Sequence, residues 1–328
     1  MTALVTGATG FIGSAVARAL LARGDTVRVL ARAGGDRRNL AGLDIEIVEG
    51  DLRDPAARAR ATAGISSLYH VAADYRLWVP DPAAMYATNV EATSDLLRRA
   101  ADAGAGRIVY TSSVATLGIP KDGSIADETS PVDLAEMVGP YKRSKFLAED
   151  AVRALATEGL PIVIVNPSAP VGPRDVKPTP TGRTVLEAAA GRIPAFVDTG
   201  LNLVHVDDVA MGHVLAHDKG QIGQRYIVGA ENMTLEQILG RIAALTGGRA
   251  PKIKLPTGAI LPIAYAAEAW ARISGREPFV TVDGLKLARK CMFFTFAKAA
   301  RELGYTARPV DDALIDAIAW FRAEGLLR

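Results

Sequence analysis

Short, almost wholly apolar runs recur along the first half of the chain, at residues 4–6, 27–30, 45–48, 68–71, 108–111 and 162–165. Strands buried on both faces have this texture, whereas a sheet with one wet face alternates apolar and polar positions. Helix-length segments separate the runs, among them 13–23, 84–103 and 141–158. The alternation predicts an α/β fold built on a doubly wound parallel sheet.

The texture changes after Asn166. Pro167, Pro170, Pro173, Pro178 and Pro180 crowd one stretch, which reads as a long irregular connection of the kind that carries function. Two further strands are predicted at 203–206 and 226–228. Thr234, with Gln237 three residues on, reads as a capping box opening a helix that Gly247 ends. Leu314, Ile318 and Phe321 share one face of a final helix over 310–321. The expected division is a first domain over residues 1–166 and a smaller, mostly helical lobe over 167–328. A segment around 200–229 is expected to rejoin the first domain.

Composition narrows the function classes. The chain has 328 residues, 49% of them hydrophobic, enough for a large core. The net charge is only +2 and the arginines are scattered, which argues against nucleic acid as a partner. Four histidines and one cysteine show no metal-ligand spacing, so no metal is expected. Cys291 is the single cysteine, which suits a reducing compartment, and it reads as a buried apolar filler. The first strand begins almost at once, which leaves no room for a signal peptide and points to the cytoplasm. The longest apolar stretch, 255–273, is broken by Pro256, Pro262, Glu268 and Arg272, and so reads as a packed helix rather than a membrane span.

The first predicted strand runs straight into Thr6-Gly7-Ala8-Thr9-Gly10-Phe11-Ile12-Gly13, ahead of a predicted helix. Gly7 permits a tight turn, Gly10 lets the backbone approach a pyrophosphate, and Gly13 lets the helix pack closely on the strand. The helix N-terminus adds open N–H groups and partial positive charge. This context makes the loop a dinucleotide-binding candidate. At the end of the second strand an NAD-preferring fold places an acid for the adenosine ribose. This chain has Ala31 followed by Arg32, with Arg37 and Arg38 nearby. A guanidinium suits a 2′-phosphate, so NADP(H) is the expected preference, with NAD(H) as the alternative if Asp36 serves the ribose. Asp51 reads either as an acceptor for the adenine amino group or as a helix cap.

Tyr141 and Lys145, four apart, share one helix face. An ammonium roughly 4 Å from a phenol attracts the phenolate by about 4 kcal/mol at an effective dielectric near 20, which predicts a phenol pKa lowered by one to three units. Ser113, at the carboxyl end of a predicted parallel strand, points toward the ligand crevice of such a sheet.

Gly7-x-x-Gly10-x-x-Gly13, the Ser113 strand end and Tyr141-x-x-x-Lys145 together resemble the extended short-chain dehydrogenase/reductase family. The likeness extends to His70-Val71-Ala72-Ala73, Asn89-Val90-Glu91, Asn166-Pro167-Ser168 and the stretch 204–209. More narrowly, stretches 72–78 and 177–183 resemble the hopanoid-associated sugar epimerases, which are similar to dihydroflavonol 4-reductases. The resemblance implies a catalytic triad of Ser113, Tyr141 and Lys145. It implies cofactor contacts from Gly7, Thr9, Gly10, Phe11, Ile12, Gly13, Arg32, Asp51, Leu52, Ala72, Ala73, Thr111, Tyr141 and Lys145, with Pro167 and Ser168 lining the nicotinamide. Val114 and Ala115 stand where the sugar 4,6-dehydratases carry an acidic pair, so dehydration is not expected. It also implies a homodimer through helices 84–103 and 141–158.

The expected activity is NAD(P)-dependent hydride transfer at a carbonyl or carbinol carbon, with Tyr141 as acid/base. The first expectation is an NADP(H)-linked, dihydroflavonol-reductase-like ketone reductase. A NAD-dependent nucleotide-sugar epimerase runs the same first half-reaction, and a non-catalytic NADPH-binding sensor is the third reading. Candidate substrate contacts are Tyr75, Arg76, Trp78, Arg174, Lys177, Arg183 and His205. Aromatic and cationic groups together suit a sugar nucleotide, a phosphorylated sugar or a polyphenol. His205 also reads as a structural strand histidine.

Overall fold

The computed structural model describes residues 2–76, 79, 81–274, 281–287 and 290–327. Its first half runs β1 (Thr2–Thr6), α1 (Phe11–Ala22), β2 (Thr26–Ala31), β3 (Glu46–Glu49), α2 (Pro55–Thr62) and β4 (Ser67–His70). There follow α3 (Ala83–Tyr86), a π-helical stretch Ala87–Ala92, α4 (Thr93–Asp102), β5 (Arg107–Thr111), α5 (Gly139–Thr157) and β6 (Ile162–Pro167). The second half contains β7 (Ala169–Val171), α6 (Pro180–Ala189), β8 (Ala195–Val197), β9 (Gly200–His205), α7 (Val206–Lys219), β10 (Arg225–Val228) and β11 (Glu231–Thr234). It continues through α8 (Leu235–Thr246), β12 (Ile253–Leu255), α9 (Thr257–Ser274), α10 (Val282–Leu287), β13 (Cys291–Met292), α11 (Ala297–Leu303) and α12 (Val310–Ala323).

The main sheet has seven parallel strands in the order β10-β6-β5-β4-β1-β2-β3. Each predicted strand of the first half is present within one or two residues. Two apolar layers sandwich the sheet. On one face α1, α7 and α11 pack over Val5, Val29, Val109 and Val165. On the other, α2, α4 and α5 pack over Leu4, Leu68, Ile108 and Ile164. Strands in such a sandwich are apolar on both sides, which is why the runs were readable. β3 differs: it is the sheet edge, and Ile47 is 37% exposed.

The proline-rich stretch after Asn166 is less irregular than its composition suggests. β7 lies within it and pairs with β9, and Pro180 opens α6, where a missing N–H costs nothing. β9 does not enter the main sheet. It joins a second sheet with β7, β11 and β13. After it the chain returns: α7 packs on α1, and β10 extends the main sheet beside β6. The capping box at Thr234 and Gln237 is formed, and Gly247 ends α8 in the left-handed conformation, φ 69°.

One expectation changes and one holds. Cys291 is exposed rather than buried, because β13 is a two-residue strand at the margin of the second sheet. The apolar 255–273 stretch does form a helix, α9, and no described helix is long and apolar enough to cross a membrane. Among the described residues it packs through one side, where Ala264 meets Val282 and Leu285 of α10. Trp270 and Ile273 on its other side are 67% and 79% exposed.

Candidate active site

The carboxyl ends of β1, β4, β5 and β6 bring the candidate groups together, as expected for an open parallel sheet. Beyond β5 the chain makes a 3-10 turn, 114–116, that Ser113 caps: its Oγ accepts from the Ala115 N–H at 3.1 Å. α5 opens with Gly139 (φ 80°) and Pro140, which starts the helix and sets Tyr141 in its first turn. The Ser113 side chain lies near enough to the Tyr141 hydroxyl to act on its ionisation.

Lys145, one turn on, is 3% exposed. Its Nζ donates to the Tyr110 hydroxyl at 3.0 Å and to the Thr111 carbonyl at 2.8 Å, and it lies 4.7 Å from the centre of the Tyr110 ring. Burial holds its pKa down to about 8, with the Glu149 carboxylate working the other way. The expected depression of the Tyr141 phenol is not found. Burial pushes it above its ordinary range, and only the nearby Ser113 side chain opposes that. Two of the three ammonium hydrogens go to Tyr110 and Thr111, and Lys145 does not act on the phenol, so desolvation wins at Tyr141.

The glycine loop has the shape a dinucleotide needs. Gly7 has φ 74°, and a Cβ there would lie 2.7 Å from the Ala72 N. A Cβ on Gly13 would lie 2.2 Å from the Gly7 carbonyl oxygen. No side chain caps the first turn of α1, whose N-cap is Gly10, so its N–H groups face outward for an anion. The loop is tied down from two sides. Thr6 Oγ1 lies 2.7 Å from His70 Nδ1 and accepts from the Ala72 N–H at 3.2 Å. Asn39 Nδ2 donates to the Thr9 carbonyl at 3.3 Å. At the end of β6, Pro167 and Ser168 are both buried, and Ser168 Oγ has no partner among the described residues. A buried hydroxyl without a protein partner fits a site that receives a polar ligand.

Other candidate positions have narrower roles. Leu52 belongs to the core under α2, and Phe11 and Ile12 pack against the opposite layer. The Thr111 hydroxyl is taken by His213 Nε2 at 2.8 Å. Asp51 does not cap α2, because Asp54 does, accepting from the Ala56 N–H; Asp51 instead binds the Arg53 N–H and guanidinium. Ala31 is buried at the end of β2 while Arg32 is exposed, near enough for its charge to act on Asp51 and Asp74. Asp36, the alternative ribose acid, is bound by the Arg38 guanidinium and N–H.

The substrate candidates scatter. Tyr75, Lys177 and Arg183 are exposed. Arg76 is paired with Asp74 at 2.5 Å. Arg174 adopts φ 75°, its carbonyl accepts from Asn39 Nδ2, and its guanidinium reaches Asp207 at 2.5 Å. It therefore ties the second lobe to the glycine loop rather than standing free. His205 is buried and serves as a cap: Nδ1 accepts from the Asp207 N–H at 3.0 Å, and Nε2 lies 3.1 Å from Asp316. Both ring nitrogens are used within the protein, which fits the structural role that the sequence also offered. Trp78 lies outside the described residues.

Two groups escaped the sequence reading. Asn89, in the π-helical stretch, bonds both Asp74 and Ser144. Asp175 is 2% exposed, accepts from the Thr179 N–H and hydroxyl, and has its pKa pushed up to about 6 by burial. Asn89-Val90-Glu91 offered a signal for the first; nothing local marked the second.

Residues 3–229 match the sequence profile of the NAD dependent epimerase/dehydratase family. A Synechocystis protein named "Putative dihydroflavonol 4-reductase" is 43% identical over 328 residues, covering 99% of this chain and 95% of its own. Sterol demethylase protein B of Methylococcus capsulatus is 38% identical over 329 residues, covering 100% of both chains. Among solved structures, that of gox2253 superposes with a TM-score of 0.89 at 51% identity, covering 100% of this chain and 99% of the other. The Rossmann-type sheet, the glycine loop and these likenesses agree: this chain is an enzyme of the NAD-dependent epimerase/dehydratase family, the extended short-chain dehydrogenases/reductases.

Proposed function

We propose that this enzyme is an NADP(H)-linked ketone reductase of the dihydroflavonol-reductase type. The observation that carries the reading is the nearness of the Ser113 side chain to the Tyr141 phenol at the carboxyl end of the sheet, with Lys145 buried one turn away. The cofactor, when bound, supplies the hydride. The residues to hold it are the glycine loop and the first turn of α1 for the pyrophosphate, Ala72 and Ala73 beside them, and Pro167 and Ser168 at the nicotinamide end.

Tyr141 is raised above its ordinary pKa by burial and is a neutral phenol at neutral pH, the form that gives a proton. It donates to the carbonyl oxygen that Ser113 Oγ fixes in place. Lys145 contributes a positive charge in the same buried layer and a donor for the nicotinamide ribose hydroxyls. Preference for NADP(H) is supported by three features: no acid at Ala31, an exposed Arg32, and an Asp36 already bound by Arg38. The full-length relatives named for a dihydroflavonol and a sterol support a polycyclic substrate between Tyr75 of the first domain and Arg183 of the second lobe.

Native mass spectrometry of protein purified without added ligand, followed by NADPH oxidation with dihydroquercetin and epimerisation of UDP-glucose as probes, tests this reading. A reductase takes up NADPH and consumes it with the ketone. Tyr141→Phe lowers that turnover by at least about 100-fold while NADPH still binds. Tightly retained NAD+ with sugar turnover and no net consumption makes the protein an epimerase instead. Full turnover in Tyr141→Phe removes the assigned chemistry.

A further inference from the structure

Behind the Ser113 turn lies a buried carboxylate that the proton transfer does not use. Glu149 follows Lys145 by one turn of α5 and is 3% exposed. Its Oε2 accepts from Thr116 Oγ1 and from Asn166 Nδ2, each at 2.8 Å, and its Oε1 accepts from Arg225 Nη1 at 3.1 Å. The same two donors also reach the Ser113 carbonyl oxygen, Thr116 Oγ1 at 2.7 Å and Asn166 Nδ2 at 3.0 Å.

Counting protons shows how the cluster works. Asn166 Nδ2 carries two hydrogens for three acceptors: Glu149 Oε2 and the Ser113 carbonyl take the shorter bonds, at 2.8 and 3.0 Å, and Thr116 Oγ1 lies 3.2 Å away. Thr116 has one hydrogen and two acceptors, and the ionised carboxylate is the stronger of them. The acceptors around Nδ2 fix which way the amide points. Asn166 is therefore a bridge with the carboxylate at one end and the Ser113 backbone at the other. Arg225, from β10, neutralises the carboxylate and is in turn held by the Glu128 carbonyl. The elements joined are α5, which carries Tyr141, β6, β10 and the turn that carries Ser113.

We propose that Glu149 is a positioning residue for the reaction: through Asn166 and Thr116 it clamps the Ser113 backbone to α5, fixing the separation of the Ser113 and Tyr141 hydroxyls, and it sets the charge facing Lys145. This rests on the reading of Ser113 and Tyr141 given above. The groups facing Lys145 are Tyr110 and the Thr111 carbonyl from β5, His70 from β4, and Glu149 from its own helix. Glu149 is the anion among them, and it favours the ammonium. A carboxylate with a merely structural part holds Arg225 and leaves both the turn and the lysine as they were.

Two variants separate these roles. Glu149→Gln removes the charge and sets an amide against Arg225, and Thr116→Val removes only one hydroxyl. Each is read by deuterium exchange of the 112–117 amides with NADPH bound, and by NADPH fluorescence titration from neutral to alkaline pH. Glu149→Gln is expected to speed exchange in that segment about tenfold. It is also expected to move the alkaline loss of NADPH affinity to lower pH. Thr116→Val speeds the exchange and leaves the pH dependence where it was. With dihydroquercetin as the ketone, both lower kcat more than they change KM. If Glu149→Gln does not fold, Thr116→Val still decides the clamp. Parental exchange in both variants, with an unmoved alkaline limb in Glu149→Gln, overturns the proposal. An active Tyr141→Phe overturns the proton-transfer reading instead and leaves the clamp intact, so the two failures are distinct.

Discussion

Asn89 Nδ2 donates to Ser144 Oγ at 3.0 Å, and the same side chain accepts from the Asp74 N–H at 2.8 Å and donates to its carbonyl at 2.9 Å. Ser144 Oγ in turn donates to the Tyr141 carbonyl at 2.8 Å. One amide thus joins the loop that leads to Tyr75 with the first turn of the Tyr141 helix. It sits in a π-helical stretch, a distortion often found at functional sites. Asn89→Ala leaves the Asp74 backbone groups without these partners, at a cost of about 1–3 kcal/mol. The expected result is a melting temperature lower by a few degrees and a reduced kcat. Calorimetry alongside turnover checks it, and a variant that melts and reacts like the parent refutes the linkage.

Residues whose surroundings are dictated by their own neighbours in sequence were readable. Val5, Val29, Ile108 and Ile164 sit in strands covered on both faces, so their burial left a continuous apolar run. Gly7 and Gly13 were readable because a turn and a close helix approach each exclude a side chain. The state of Tyr141 was not. Its pKa depends on where the Lys145 ammonium points, and that is decided by Tyr110 and Thr111 on β5, more than 30 residues away. Asp175 and Glu149 were hidden for the same reason: a carboxylate in sequence looks solvated until the fold buries it. Cys291 went wrong in the opposite sense, an apolar type placed by a short marginal strand at the surface.

Arg32 is exposed beside Ala31, where an NAD-selective sheet presents an acid. If it receives the 2′-phosphate, Arg32→Glu removes a charge-assisted pair and adds repulsion. NADPH affinity is then expected to fall tenfold or more, on the order of 1.4 kcal/mol or above, with NADH affinity held or improved. Fluorescence titration of both nucleotides at one fixed ionic strength reads the ratio. An unchanged NADPH-to-NADH ratio means that Arg32 is only a solvated loop residue.

His70 and His213 are fully buried, and burial lowers their pKa values to about 3 and about 4. His70 is held between Thr6 and Thr93, and His213 between Thr111 and the Val209 carbonyl. Both pKa values lie below the ordinary 6.5, so the folded protein refuses protons that the unfolded chain accepts. Above that value the histidines contribute no pH dependence. As pH falls below it, each removes up to about 1.4 kcal/mol of stability per pH unit. His213→Gln is expected to flatten the acid limb of a urea-midpoint-against-pH curve by one proton, whatever it does to stability at neutral pH. A slope equal to the parent's shows that His213 is charged in the folded state.

Asp175 runs the opposite way. Its carboxyl is raised from 3.8 to about 6 because burial outweighs the bonds from Thr179. Between those values the unfolded chain has lost the proton and the folded protein keeps it, so this group costs stability as pH rises through the window. Above about 6 the penalty is complete, with a ceiling of about 3 kcal/mol. Asp175→Asn keeps an oxygen for the Thr179 N–H and has no charge to desolvate. It is expected to melt higher than the parent at neutral pH, with the difference shrinking as the pH drops toward 4. The position is crowded, since a Cβ on Gly182 would lie 1.9 Å from Asp175 Oδ2, and its charge reaches Tyr75. A destabilising carboxylate held by Thr179, with its charge reaching Tyr75, points to use on the substrate side, so the more stable variant is expected to turn over more slowly. Melting curves across the pH range and one turnover assay decide both halves. Equal melting temperatures at neutral pH show that the carboxylate ionises without penalty, and an unimpaired turnover removes Asp175 from the site.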